Sequence, residues 1–174
     1  MFIRRERVGD EAAIHRIQAL AFGRGRDGPV AEATLVDLLR ADPEAWLPRL
    51  SLVAEVDGEP IGHVVCSRAF LEERTPVVGL GPIGVLPSHQ RTGVGTALVH
   101  AVCAAADALD EPLVVLLGDP GYYVRTGFVL AEQFRITPPV PAWAPYFQAR
   151  PLTAYDAQTH HGAFTYAAPF ALVS

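Results

Sequence analysis

Apolar and polar positions along the chain predict alternating strands and helices, with three strands in succession ahead of the longest helix. Phe2 to Arg7 alternates weakly between apolar and charged residues, which suits an edge strand. Asp10 stands where a helix N-cap belongs, and Ala13, Ile14, Ile17, Leu20 and Ala21 recur at helical spacing as an inward stripe. The loop Phe22 to Pro29 is glycine-rich and locally basic. A second helix turns Leu35, Val36, Leu38 and Leu39 inward, and Asp42-Pro43 stops it. Leu52 to Val56 and Ile61 to Phe70 are β-rich runs separated by Asp57-Gly58-Glu59-Pro60, the signal of an antiparallel hairpin. Val77 to Leu86 is apolar throughout, as a central strand buried on both faces requires.

From Thr92 to Leu109 the positions Leu98, Val99, Val102, Cys103, Ala106 and Leu109 keep a 3.6-residue period, giving the longest helix. Glu111-Pro112 breaks it and Leu113 to Leu117 is a short apolar strand. Strand, helix and strand make a βαβ unit, so its two strands should be parallel neighbours under a right-handed crossover. Gly118 to Gly121 turns into a short helix, Tyr122 to Thr126, with Gly127 expected in the left-handed region after it. Past Phe128 the chain is proline-rich as far as Pro145, then offers two strands, Tyr146 to Arg150 and Phe164 to Ala168. One mixed α/β domain over residues 1–174 is expected.

Composition narrows the function classes. The 174 residues are 50% apolar, enough for a sizeable core, and the formal charge of −5 argues against a nucleic-acid-binding surface. The first residues lack an apolar stretch behind their charges, and no apolar run reaches the roughly 18 residues of a membrane span. A cytoplasmic protein without membrane or nucleic-acid partners is expected. Cys66 and Cys103 fall inside apolar segments, make no metal spacing, and read as buried thiols.

Candidate chemistry concentrates between Leu80 and Leu98. Gly93 and Gly95 flank Val94 where the long helix begins, so its unpaired N–H groups are open to an anion such as a pyrophosphate, and Arg91 adds a positive charge. The series Val85-x-Pro87-x-x-Gln90-Arg91-x-Gly93-Val94-Gly95, followed by an apolar helix, resembles the acetyl-CoA signature of the GNAT superfamily of N-acetyltransferases. Tyr122-Tyr-Val-Arg-Thr-Gly-Phe128, about 30 residues on, is similar to that family's second signature. The resemblance covers roughly Phe2 to Phe128. It implies a mostly antiparallel sheet with a parallel βαβ unit whose strands splay to admit the coenzyme, and acetyl-CoA as co-substrate. It also implies direct attack by a primary amine of a small molecule or peptide.

Carried over by motif position, the backbones of Ile83, Gly84 and Val85 take the pantetheine arm. Gln90, Arg91, Thr92, Gly93, Val94, Gly95 and Thr96 take the pyrophosphate, and Tyr123 is the general acid. Gly84 also marks a bulge or a close backbone approach on its own account. Leu117-Gly-Asp-Pro-Gly-Tyr-Tyr123 resembles uncharacterised bacterial N-acetyltransferases, and Asp119 reads there as an N-cap. A non-catalytic acyl-CoA-binding regulatory module shares these motifs and is the alternative, and a homodimer stays open.

Other patterns weigh less. Gly79-Leu-Gly-Pro-Ile-Gly84 fits the dinucleotide fingerprint but precedes a strand end instead of opening a helix. His63 and Cys66, three apart in a strand, point to opposite faces and form no dyad. The pair His160-His161 lacks a third metal ligand and reads as a polar loop. Glu55, Glu72, Glu73, His63 and His89 are all candidates for the general base. Arg24 and Arg26 would suit an acidic acceptor or an exposed loop, and Trp143, Tyr146 and Phe147 an apolar acceptor wall or packing.

Overall fold

The computed structural model describes residues 1–23 and 28–173, so Arg24 and Arg26 lie outside the described residues. The chain forms two compact units, Met1–Ser67 with Gly81–Val102 and Ala167–Ser174, and Arg68–Leu80 with Cys103–Tyr166. The elements in order are β1 (Phe2–Arg5), α1 (Glu11–Phe22), α2 (Ala31–Ala41), β2 (Ser51–Val56), β3 (Glu59–Leu71), β4 (Thr75–Val85) and α3 (Val94–Asp107). After these come β5 (Leu113–Leu117), α4 (Pro120–Tyr123), β6 (Val129–Leu130), β7 (Ile136–Thr137), β8 (Phe147–Pro151) and β9 (Gly162–Thr165). The residues of β3, β4 and α3 are divided between the two units. No helix among the described residues is long and apolar enough to cross a membrane.

In the first unit β1 pairs antiparallel with β2 from Phe2↔Glu55 to Arg5↔Leu52, and β2 pairs antiparallel with β3, its register shifting between Ala54 and Glu55. The predicted hairpin is therefore present, its turn made by Asp57 and Gly58 at positive φ. Leu86 N donates to Ile61 O (2.9 Å), tying the end of β4 to β3. Adjacent β3 residues face opposite ways. On one side a Cβ on Gly62 would stand 3.1 and 3.0 Å from Val94 and Leu98 of α3; on the other His63 meets Gln18 of α1. Helices α1 and α2 pack Ile14, Leu35, Val36 and Leu39 against Val53 and Val65.

Two details of α1 depart from the sequence pattern. Leu20, expected inward, is 42% exposed, and the buried turn is completed by Gln18 at 0%. Asp10 makes no side-chain cap bond. Its carboxylate accepts instead from Arg4 Nη1 (2.6 Å) and Arg7 N (2.7 Å), because a charged guanidinium outcompetes a neutral helix amide.

A polar chain threads this unit. Ser51 Oγ donates to Glu6 Oε2, Arg40 Nε donates to Glu6 Oε1 (2.7 Å), and Ser51 also meets His63 Nε2 (2.9 Å). Burial alone would raise the Glu6 carboxyl, but His63, Arg40 and Ser51 outweigh it and hold it down at about 2. His63, wholly buried, is pushed below its ordinary value chiefly by desolvation and stays neutral.

In the second unit β4 and β5 are parallel, Val78↔Val114 and Gly79↔Val115, as the βαβ reading requires. β8 runs antiparallel to β5 and to β6, while β9 pairs antiparallel with the end of β3 and parallel with β7. The core joins Leu71, Val77, Leu113, Val115, Phe147 and Phe164. The strands expected at Tyr146 to Arg150 and Phe164 to Ala168 appear as β8 and β9, the latter ending at Thr165 because residues 168–172 form a 3₁₀ turn. Arg68 grips Glu111 with two parallel bonds of 2.8 and 2.6 Å. Cys66 and Cys103 are buried thiols.

A depressed carboxylate stabilises the fold fully above its unfolded value of 4.5, and loses that contribution as pH falls toward 2. The urea midpoint of the wild-type protein should therefore drop between pH 4.5 and 2. Glu6→Gln should start lower and fall less across that window, and parallel curves for the two proteins would refute the assignment.

Candidate active site

The glycine-rich turn sits at the head of α3. Residues Pro87–His89 form a 3₁₀ turn, Arg91 and Gly93 adopt positive φ (61° and 92°), and α3 starts at Val94. The helix therefore begins two residues later than the expected Thr92, since left-handed Gly93 cannot belong to it. Ala97 N is the first to bond back into the helix, to Gly93 O (3.0 Å). The amides of Val94, Gly95 and Thr96 have no intrahelical partner and carry the positive end of the helix dipole. Arg91, Thr92 and Gly93 are exposed beside them. Gln90 Nε2 donates to Val85 O (3.0 Å) and Thr92 Oγ1 to His89 O (2.6 Å), so side chains within the turn fix its shape. Gly62 gives α3 its seat, since Val94 and Leu98 lie where a β3 side chain would otherwise stand.

Ile83, Gly84 and Val85 form the last residues of β4, in the same unit as this turn. A Cβ on Gly84 would meet Gln18 Oε1 at 2.6 Å and Ala21 Cβ at 3.2 Å. The close approach expected at Gly84 thus includes the Gln18 carboxamide, a residue that sequence reasoning missed. Its signal was a polar side chain one helical turn from Ile14 on the buried stripe. Residues 79 to 84 lie inside β4, so their glycines form no nucleotide-binding turn.

In the second unit Asp119 caps α4 by accepting from Gly121 N (2.8 Å), and Gly127 is left-handed at φ 84°, both as expected. Tyr123 is 9% exposed, stacked edge-on with Tyr122 (4.8 Å) and Phe128 (5.8 Å). Its ring fills the space beside Gly118 that a side chain would need. Burial, then Tyr122, pushes the Tyr123 phenol up to about 12, so it remains a protonated donor at neutral pH.

Four of the five general-base candidates are already engaged, and Glu73 is exposed. Glu55 accepts from Arg4 (2.7 Å), Glu72 from Ala163 N (2.7 Å), His63 lies within the buried chain, and the His89 ring meets Ser88 Oγ (3.0 Å). Phe147 is core at 1% exposure, Tyr146 is 55% exposed and Trp143 half-buried. Among the described residues no cluster of three or more His, Cys, Asp or Glu can hold a metal.

A parallel β4–α3–β5 crossing, a helix opened by a left-handed glycine turn and an aromatic helix closed by Gly127 define an acyltransferase-type α/β fold. Residues 13–120 match the model of the acetyltransferase (GNAT) family, and the chain belongs to that family. It is 30% identical over 122 residues to the uncharacterized N-acetyltransferase YjhQ of Escherichia coli, covering 68% of this chain and 64% of YjhQ. It is 37% identical over 103 residues to the uncharacterized N-acetyltransferase YhbS of the same organism, covering 58% of this chain and 60% of YhbS. Both matches thus span less than two thirds of the relative. The crystal structure of Escherichia coli YhbS in complex with CoA superposes with a TM-score of 0.85 at 30% identity, covering 98% of this chain and 91% of that one. A Brucella melitensis GNAT acetyltransferase in complex with acetyl-CoA gives 0.78 at 33% identity and covers 97% of each chain.

Two outcomes follow from the geometry. Gly62→Ala should destabilise the protein by about 1–3 kcal/mol in equilibrium denaturation, the range for overpacking, and no loss would mean that α3 does not sit as closely as stated. In a spectrophotometric titration, the phenolate signal removed by Tyr123→Phe should belong to the last-ionising tyrosines, near pH 12; a loss near 10 would contradict its burial.

Proposed function

We propose that this chain is an acetyl-CoA-dependent N-acetyltransferase acting on a primary amine of a small molecule or peptide. The turn Gln90 to Thr96 carries the reading: free helix amides, a left-handed glycine and Arg91 suit a diphosphate in charge and in steric access. The strand backbone of Ile83 to Val85, tied to that turn through Gln90, is assigned to the pantetheine arm. The CoA and acetyl-CoA complexes of the YhbS and Brucella proteins support the choice of coenzyme.

In the proposed reaction the neutral amine attacks the thioester carbonyl, forming the C–N bond, and the C–S bond breaks as the tetrahedral intermediate collapses. Tyr123 gives its proton to the departing sulfur, and the excess proton on nitrogen passes to water or to a base. The phenol suits this task because it keeps its proton at neutral pH.

Coenzyme A at 100 times its Kd should stabilise the fold by about 2.7 kcal/mol in a melting assay, whereas NAD(P) should not. Stabilisation by NAD(P) alone would overturn the reading. With a panel of amines, Tyr123→Phe should release thiol about 10²–10³-fold more slowly while binding coenzyme A within threefold of wild type. An unchanged rate removes Tyr123 from the mechanism, and tight coenzyme binding without thiol release from any amine favours a regulatory module.

A further inference from the structure

Gln18 is fully buried on a stripe that otherwise holds Ile14 and Ile17, a place where leucine or methionine would pack without leaving a polar atom to satisfy. Its carboxamide bridges two strands. Nε2 lies 2.9 Å from His63 Nδ1 and 3.4 Å from His63 O, on β3, while Oε1 is directed at Gly84 of β4. That oxygen is buried without a hydrogen-bond partner, a condition that works against the fold.

The direction of the amide follows from the chain behind it. Glu6 is ionised and only accepts, taking Arg40 Nε–H on one oxygen and Ser51 Oγ–H on the other. Having given its one proton to Glu6, Ser51 must accept from His63 Nε2–H. A neutral His63 then has a bare Nδ1, which requires a donor, so Gln18 presents Nε2–H to it and Oε1 to Gly84. Arg40 and Glu6 therefore dictate, through three side chains, that an oxygen and not an NH₂ group faces β4.

We propose that Gln18 is a positioning residue for the acyl-carrying strand. Its oriented oxygen meets the Gly84 α-hydrogen that stands in place of a side chain, and this contact holds Ile83 to Val85 in the conformation that aligns the thioester. Gly84 is glycine so that this oxygen can reach the strand. The inference rests on the assignment of that strand to the pantetheine arm. The diphosphate contacts are separate from it, so Gln18 governs how the thioester is held more than how tightly the coenzyme binds.

The test reads the bound thioester directly. The carbonyl ¹³C resonance of [1-¹³C]acetyl-CoA is compared free, on wild type and on Gln18→Leu, alongside calorimetric Kd for coenzyme A and the melting temperature. The expected result is a coenzyme A Kd within threefold of wild type and a carbonyl resonance that returns at least halfway from its bound to its free position. A variant with lower melting temperature but an unmoved bound resonance would show Gln18 to be packing only. Absence of any bound resonance on wild type would instead remove the coenzyme reading itself, and this inference with it. Should Gln18→Leu fail to fold, ¹⁵N NMR of wild-type His63 decides: Nδ1 must be bare and Nε2 protonated, and the opposite tautomer turns the amide round and overturns the proposal.

Discussion

With no side chain at Gly62 to hold Val94 and Leu98 off β3, the first turn of α3 rests against the strand, and the glycine turn proposed to bind the diphosphate inherits its position from that contact. A Cβ there would stand 3.0–3.1 Å from two branched apolar side chains, and both would have to yield. The left-handed turn at Arg91 and Gly93 then has a defined job, bringing the chain from the end of β4 into a helix whose seat is already fixed. Helix amides bind an anion well only if they need not move to do so, and here the strand supplies that rigidity. Gly84 repeats the device on β4, with a carboxamide in place of a helix face.

The polar chain from Arg40 to Gln18 is the opposite kind of constraint. Each member bonds to the next, which lets a carboxylate and an imidazole sit in or near the core without charging the imidazole. The cost falls on the two ends, where Arg40 Nη2 and Gln18 Oε1 are buried without a hydrogen-bond partner. A chain ordered by donor polarity also transmits orientation: the ionised carboxylate at one end fixes the face of an amide at the other, with no mobile part between.

Local turn chemistry was legible in the sequence. Asp57-Gly58 in the hairpin, Asp119 as a cap and Gly127 as a left-handed stop all stand where their residue types require, since each is decided within a few residues. The buried runs of β4 and β5 and the stripe of α3 were legible as well, because two-sided burial leaves long apolar stretches. Strands β6 and β7, two residues each, left no pattern to detect. Asp10 and Leu20 were misread because side chains on other elements decided them, Arg4 of β1 claiming the carboxylate and His63 of β3 holding Gln18 in the buried position. Gln18 shows the general difficulty: a polar residue on an apolar stripe signals only that some partner exists, and that partner, His63, stands 45 residues away.

The proposed acid poses an energetic question that the structure helps to answer. A phenol near 12 facing an ordinary thiol near 9 would give up its proton uphill by about three units, or about 4 kcal/mol, a poor arrangement for a general acid. The comparison changes when both groups are dry. Burial, against the opposing pull of Arg150, pushes the Cys103 thiol of this same chain up to about 11, and a thiolate expelled into water-poor surroundings would likewise be a stronger base than in solution. The mismatch would then narrow, which favours proton transfer accompanying C–S cleavage. In the proposed reaction, the shift that makes Tyr123 a reluctant acid at rest would also hold its proton in place until a desolvated thiolate appears, and exclusion of water would make the phenol a usable donor.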